Sequence, residues 1–293
     1  MKHTFVPKYA VMSVAALALL AAPLYAGAVV NLTLTNQGSL PANDDDSSST
    51  AIDLNIGGAS GINFFGQNFT QTWVNNNGNL TFGANAALGQ YTPNGLATGV
   101  GFPIIAAYFA DVDTRGTGSG LTTYGNATYD GHDAFVVDWP NVGYYAYGMD
   151  KTNTFQMILT DRSDTGAGNF DIEFNYDQVQ WETGDASDGT DGLGGTSAAV
   201  GYSNGLSGSN NVYYQLAGSL VNGALIDGGP DSLTGHDLGS DVLGRYDFQV
   251  RNGSVIVPPP TTSSVPEPSS YGLLAAGLIG LAFAAKKIKF HRN

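Results

Sequence analysis

An all-β fold, a single β-sandwich domain, is what this sequence of 293 residues predicts, and three observations carry it. Glycine is abundant, at 40 residues, and Asn, Asp, Ser and Thr crowd the gaps between short apolar runs. Between Val29 and Val257 no apolar pattern repeats every 3.6 residues, so no amphipathic helix is written there. Where a period shows, it is two. Phe170-Asp171-Ile172-Glu173-Phe174-Asn175-Tyr176 alternates apolar with polar side chains, the pattern of a strand burying one face.

Residues 154–160 form a second apolar-rich strand just before that one. The pair is joined through Asp164-Thr165-Gly166-Ala167-Gly168, which makes a hairpin. A second hairpin pairs Thr72-Trp73-Val74 with Leu80-Thr81-Phe82 around Asn75-Asn76-Asn77-Gly78-Asn79, whose Asn-Gly step tolerates positive φ. Further strands are expected at 29–35, 104–109, 134–139, 179–181, 198–202, 212–216 and 246–250. Many short strands with Gly-rich turns argue for a sandwich. Residues 43–50, with Asp44-Asp45-Asp46 and Ser47-Ser48-Ser49, are too polar to bury and read as an exposed loop. Internal repeats are not visible.

Both ends carry addresses. Lys2, His3 and Lys8 precede an apolar stretch at 10–22, and Ala26-Gly27-Ala28 supplies the small-x-small pattern that signal peptidase reads, so residues 1–28 read as a signal peptide. Cleavage is expected after Ala28, with Ala26 as the alternative; an uncleaved anchor is the competing reading. At the other end, Pro258-Pro259-Pro260 and Thr261-Thr262 make residues 257–264 a semi-rigid spacer behind a domain at 29–256. Val265-Pro266-Glu267-Pro268-Ser269 follows, then an uncharged segment at 271–285 and a basic tail with Lys286, Lys287, Lys289 and Arg292. Those 15 uncharged residues are fewer than the roughly 20 of a full span, so a transmembrane helix there needs its lysines to snorkel. The basic cluster puts the C-terminus inside and the bulk of the chain outside.

This C-terminal stretch resembles the PEP-CTERM sorting signal. The resemblance implies a Gram-negative envelope, recognition by an exosortase, which is a membrane protease thought to act near the Pro-Glu-Pro, and passage to the cell surface or extracellular matrix.

A second resemblance covers the core. The residues that carry it are Asn63-Phe64-Phe65-Gly66, Val74-Asn75-Asn76-Asn77-Gly78-Asn79-Leu80-Thr81-Phe82, and Ala110-Asp111-Val112-Asp113-Thr114-Arg115. It continues through Trp139-Pro140-Asn141-Val142-Gly143-Tyr144-Tyr145, Glu173-Phe174-Asn175-Tyr176, Trp181-Glu182-Thr183-Gly184-Asp185-Ala186-Ser187-Asp188-Gly189 and Val200-Gly201-Tyr202. In that order they are similar to the NIDO domain, the extracellular module of nidogen and α-tectorin. The resemblance implies a non-enzymatic cell–matrix adhesion or structural role, with extracellular polysaccharide, biofilm exopolysaccharide or other matrix components as partners.

Composition narrows the classes. Between Ala28 and Val265 stand 24 carboxylates against Arg115, Lys151, Arg162, Arg245 and Arg251. Such a surface repels nucleic acid and anionic lipid and favours cations. There is no cysteine, so the core alone must hold the fold.

Three constellations carry candidate chemistry. Asp111 and Asp113 flank Val112 at a strand end, which alternation would place on one face about 7 Å apart. They fit a calcium site, a paired acid and base, or a strand-end cluster in which Arg115 holds an aspartate. Asp185, Asp188 and Asp191 sit three apart in a Gly-rich stretch and suit calcium or a solvated loop; the spacing is not that of an EF-hand. Trp139 with Tyr144, Tyr145 and Tyr147 could stack on sugar rings, as a lectin would, or pack in the core. Neither His132 nor His236 lies in a catalytic motif, and a polysaccharide hydrolase acting through Asp111 and Asp113 is the weakest reading.

Overall fold

The computed structural model describes residues 27–259. Residues 1–26 of the expected signal segment, the sorting residues Val265, Pro266, Glu267, Pro268 and Ser269, and the apolar segment at 271–285 lie outside them. Among the described residues there is no α-helix, and no helix is long and apolar enough to cross a membrane.

The strands in chain order are β1 (Thr35–Ser39), β2 (Ile52–Asp53), β3 (Ile62–Phe64), β4 (Gln67–Phe69), β5 (Gln71–Asn75), β6 (Asn79–Thr81), β7 (Ile104–Phe109) and β8 (Val112–Asp113). They continue with β9 (Thr123–Tyr129), β10 (His132–Tyr144), β11 (Gly148–Asp161), β12 (Phe170–Val179), β13 (Ala199–Ser203), β14 (Tyr213–Gln215), β15 (Arg245–Arg251) and β16 (Ser254–Ile256). The larger sheet runs β1-β9-β10-β11-β12-β15-β16, with β8 also paired to β10, and the smaller runs β14-β13-β7-β6-β5-β2. All of these pairs are antiparallel, and β3-β4 stands as a separate hairpin.

Alternation explains the sandwich. Phe135, Val137 and Trp139 from β10, Phe155, Met157 and Leu159 from β11, and Phe170, Ile172, Phe174 and Tyr176 from β12 all point inward. They meet Val74, Leu80, Ile105, Ala107, Val200 and Tyr202 of the smaller sheet in one core. Each large side chain buried this way contributes about 2–3 kcal/mol. Hydroxyls that enter the core find partners: Tyr108 donates to the Trp181 carbonyl at 2.6 Å and Tyr176 to that of Ala107 at 2.5 Å. Strand β7 is buried on both faces because Leu88 and Leu96 cover Ile104, Ala106 and Phe109 from outside.

Two expectations are corrected. Residues 29–34 form no strand; they lie as a strap over the outer face of the larger sheet, where Val30, Leu32 and Leu34 cover Ala134, Val136 and Ile158. The Gln156 side chain takes the place of a ladder, accepting from Val30 N–H at 3.1 Å and donating to its carbonyl at 2.9 Å. The run at 43–50 is not a free loop either. Asn43 and Ser48 are buried, because this segment wraps the asparagine turn.

Candidate functional site

The turn between β5 and β6 organises one end of the sandwich. Gly78 adopts φ +74°, and a side chain there would collide with the Tyr108 carbonyl, so only glycine fits. The asparagines around it are buried and act as backbone surrogates. Asn76 Nδ2 donates to the carbonyls of Val112 at 2.7 Å and Asn43 at 3.2 Å, while its Oδ1 accepts from Thr122 at 3.1 Å. Asn77 Oδ1 accepts from Val112 N–H at 2.8 Å, and its Nδ2 donates to Asp45 Oδ1 at 3.1 Å. The acidic run Asp44-Asp45-Asp46 is thereby drawn up to Asp111 and Asp113.

Those two aspartates have opposite fates. Asp113 is fully buried and takes the Arg115 fork on both oxygens, Nε to Oδ1 at 2.9 Å and Nη2 to Oδ2 at 2.7 Å. Burial pushes its pKa up, but the guanidinium and the N–H groups of Tyr147 and Arg115 outweigh that and hold it below the usual carboxylate range. Asp111 is 2% exposed and its Oδ2 has no hydrogen-bond partner. Burial, followed by the carboxylates of Asp45, Asp113 and Asp44, raises its pKa to about 7. Arg115 offers little relief, because its remaining arm, Nη1, reaches Asp44 Oδ2 at 2.8 Å.

Beside this cluster, Tyr145 and Tyr147 flank the same guanidinium, whose carbon lies 4.4 Å from the Tyr147 ring centroid and 5.7 Å from that of Tyr145. The aromatic surface read from the sequence is therefore cut down. Trp139 is buried, stacks on Phe155 at 4.9 Å and donates from Nε1 to the Asn76 carbonyl, which removes it from any sugar platform. Tyr144 is also buried, with its hydroxyl 2.6 Å from Asp150. Only Tyr145, partly, and Tyr147, largely, face solvent.

The structure does not gather the second acidic run with the first. Asp185, Asp188 and Asp191 are exposed around a short 3-10 turn, and the Asp185 N–H donates to the Tyr145 carbonyl. Among the described residues no three acidic or histidine side chains converge on one point. What this stretch does contribute is Gly184, whose bare Cα packs against the Asp111 carboxylate.

Sequence reasoning missed a second polar site, on the outer face of the larger sheet. A cavity of about 270 Å³ is lined by residues that include Tyr129, His132, Arg162, Asp171, Glu173 and Asp247. Glu173 and Asp247 face each other across β12 and β15, and the Tyr129 hydroxyl donates to Glu173 at 3.0 Å. Burial, then the Glu173 charge, pushes Asp247 up to about 8. The period-two pattern placed Glu173 on the outer face, but its cross-strand partner needs the register, which composition does not supply.

Taken together, the described residues form a loop-bearing antiparallel sandwich with a polar cluster at one end. The chain belongs to the nidogen-like domain family, which matches residues 70–252 and so takes in the asparagine turn, Asp111, Asp113 and Arg115. The PEP-CTERM protein-sorting motif matches residues 264–287, including Val265, Pro266, Glu267, Pro268 and Ser269. Among curated proteins the chain is similar to alpha-tectorin of Mus musculus, 34% identical over 203 residues, which is 60% of this chain and 8% of that protein. Human alpha-tectorin is 33% identical over 198 residues, again 60% of this chain and 8% of the relative. Nidogen of Drosophila melanogaster is 29% identical over 120 residues, 33% of this chain and 9% of that protein. This chain thus shares one module with far longer relatives. No solved structure matches it. A nidogen-like domain joined to an exosortase sorting motif makes this an exported, exosortase-sorted surface protein.

Proposed function

We propose that the protein is a non-enzymatic adhesive or matrix-organising module of the cell surface, tying the envelope to extracellular polymer. The observation that carries this is the pairing on one chain of a nidogen-like domain with an exosortase sorting motif. Nidogen and alpha-tectorin supply the precedent of the same module built into large proteins. Chemistry at the aspartates fits less well. Carboxyls with pKa values pushed apart resemble an acid and base pair, yet Asp113 is 0% exposed and committed to Arg115, and Asp111 is 2% exposed, so no substrate reaches both.

The acidic surface binds anionic polymer through bridging cations, and calcium is the fitting ion because the available ligands are hard oxygens. Extracellular polysaccharide from the producing cells, mixed with the processed protein and sedimented, is expected to carry the protein down in calcium and release it in EDTA. Absence of co-sedimentation, together with an unaltered matrix in a strain lacking the protein, overturns the adhesive reading. Retention that ignores EDTA overturns only its cation dependence.

A further inference from the structure

The Asp111 carboxylate is out of place as an isolated anion. It is 2% exposed, its Oδ2 lacks a hydrogen-bond partner, and the charges that face it are the carboxylates of Asp45, Asp113 and Asp44 and the single cation Arg115. Arg115 is already divided between Asp113 and Asp44. Removing a carboxylate from water costs several kcal/mol unless a positive charge or a proton compensates it. The wall beside it is bare backbone: a Cβ on Gly184 would lie 2.6 Å from Asp111 Oδ2. Asn77 ties Asp45 to the same segment: Asp45 Oδ1 accepts from Asn77 Nδ2 at 3.1 Å, Asn77 Oδ1 accepts from Val112 N–H at 2.8 Å, and Asp45 Oδ2 has no bond among the described residues.

We propose that Asp111 and Asp45 are the two anionic ligands of a divalent-cation site, with calcium as the fitting ion, at the end of the sandwich built by the asparagine turn. Oxygen donors on loops suit a large hard cation. With no third acidic side chain converging among the described residues, neutral oxygens and water complete the shell. Affinity is therefore that of an extracellular module, of order 0.1–1 mM. Asp113 takes no part; Arg115 neutralises it and keeps it off the ion. The site deepens the cation-dependent part of the function proposed above and rests on it only there. Its test needs no polymer, so the two fail separately.

The test uses the processed protein, stripped with EDTA and dialysed, then titrated calorimetrically with CaCl2 and followed by thermal unfolding in 10 mM CaCl2, in 10 mM MgCl2 and in EDTA. Calcium is expected to raise the midpoint by about 3–8 °C, the shift that such an affinity gives a domain of this size. Asp111→Asn should unfold at a higher temperature than wild type in EDTA, since the uncompensated charge is gone, and should lose the calcium shift. Asp45→Asn should reduce the shift at least threefold, and Asp188→Asn should keep it. A wild-type protein with no calcium heat and no midpoint change overturns the site whatever the variants do. So does a shift that survives both Asp111→Asn and Asp45→Asn but vanishes in Asp188→Asn.

Discussion

Two hairpin turns in this molecule are written in the same alphabet and do opposite work. The turn between β11 and β12 carries Asp164, Thr165, Gly166 and Ala167 at the surface, and the bonds of this tip are local: Arg162 holds Asp164 and Asp171, and Thr165 caps the Arg162 carbonyl, while only the base reaches out, the Gly168 carbonyl to Asn63 N–H and Asn169 Oδ1 to Asn252 N–H. The turn between β5 and β6 is buried, and its asparagines bond outward to segments distant in sequence. The exposed tip of one turn only reverses the chain; the other turn assembles an end of the fold. Turn-forming residues specify backbone geometry, whereas burial decides whether their amides become structural.

Gly78→Ala has the largest expected effect, because the new methyl would enter the Tyr108 carbonyl at a positive φ. We expect a loss of at least about 4 kcal/mol in denaturant unfolding or failure to accumulate as a folded protein. Asn76→Ala should cost about 3 kcal/mol, since it strands the Val112 carbonyl inside the core. Equal costs for Asn76→Ala and for a change at the exposed turn would break the comparison.

The two turns also differ in the sign of their pH response. Next to the buried turn, Asp111 has its pKa raised to about 7, above the unfolded value of 3.8, so the native state binds the extra proton. Without divalent cations that contribution is full below about pH 4 and disappears as pH rises through 7. Beside the exposed turn, burial raises the Asp161 pKa but its bonds from Ser163 and Gly57 pull it below the usual range, and Asp164 is lowered chiefly by its hydrogen bonds with Arg162. Their contribution is present above the unfolded pKa and is lost as pH falls. Unfolding in EDTA between pH 4.5 and 8 should therefore show a decline that Asp111→Asn reduces and Asp164→Asn leaves unchanged, the remainder coming from the raised Asp247 on the outer face of the larger sheet. The smallest effect is expected for Thr165→Ala, under about 1 kcal/mol, because water replaces both of its bonds. A cost near that of Asn76→Ala would mean that the exposed turn, too, is part of the framework.

Much of the larger sheet could be read in advance. Strand β7 matches its expected limits, and β10, β11, β12 and β15 contain theirs, because period-two alternation survives where one face is buried. Strands β3, β4, β9 and β16 were not legible, since Asn68, Gly125 and Asn126 interrupt the apolar signal and tertiary pairing supplies what propensity lacks. Of the site, Asp111, Asp113 and Arg115 were visible, including an ion pair from Arg115 to one of the two aspartates, which the structure assigns to Asp113. The role of Asp45 was hidden, because a run of aspartates next to serines looks solvated until the asparagine turn is seen to hold it. Trp139 misled for a related reason: the indole turns into the core together with Tyr144, while the partly exposed Tyr145 and the exposed Tyr147 belong to the turn beyond the strand.

Strand β16 has a mechanical consequence. It lies at the rim of the sheet, and among the described residues it pairs with β15 alone, through Arg251 with Ser254, Val250 with Val255 and Gln249 with Ile256. Tension arriving from the C-terminal side meets these three pairs in series, while β15 is gripped from both flanks. Under load they should peel open one by one and release roughly 10 Å of slack before the sandwich itself resists. Single-molecule stretching would register this as a short, low-force step, and the tether would have its own shock absorber.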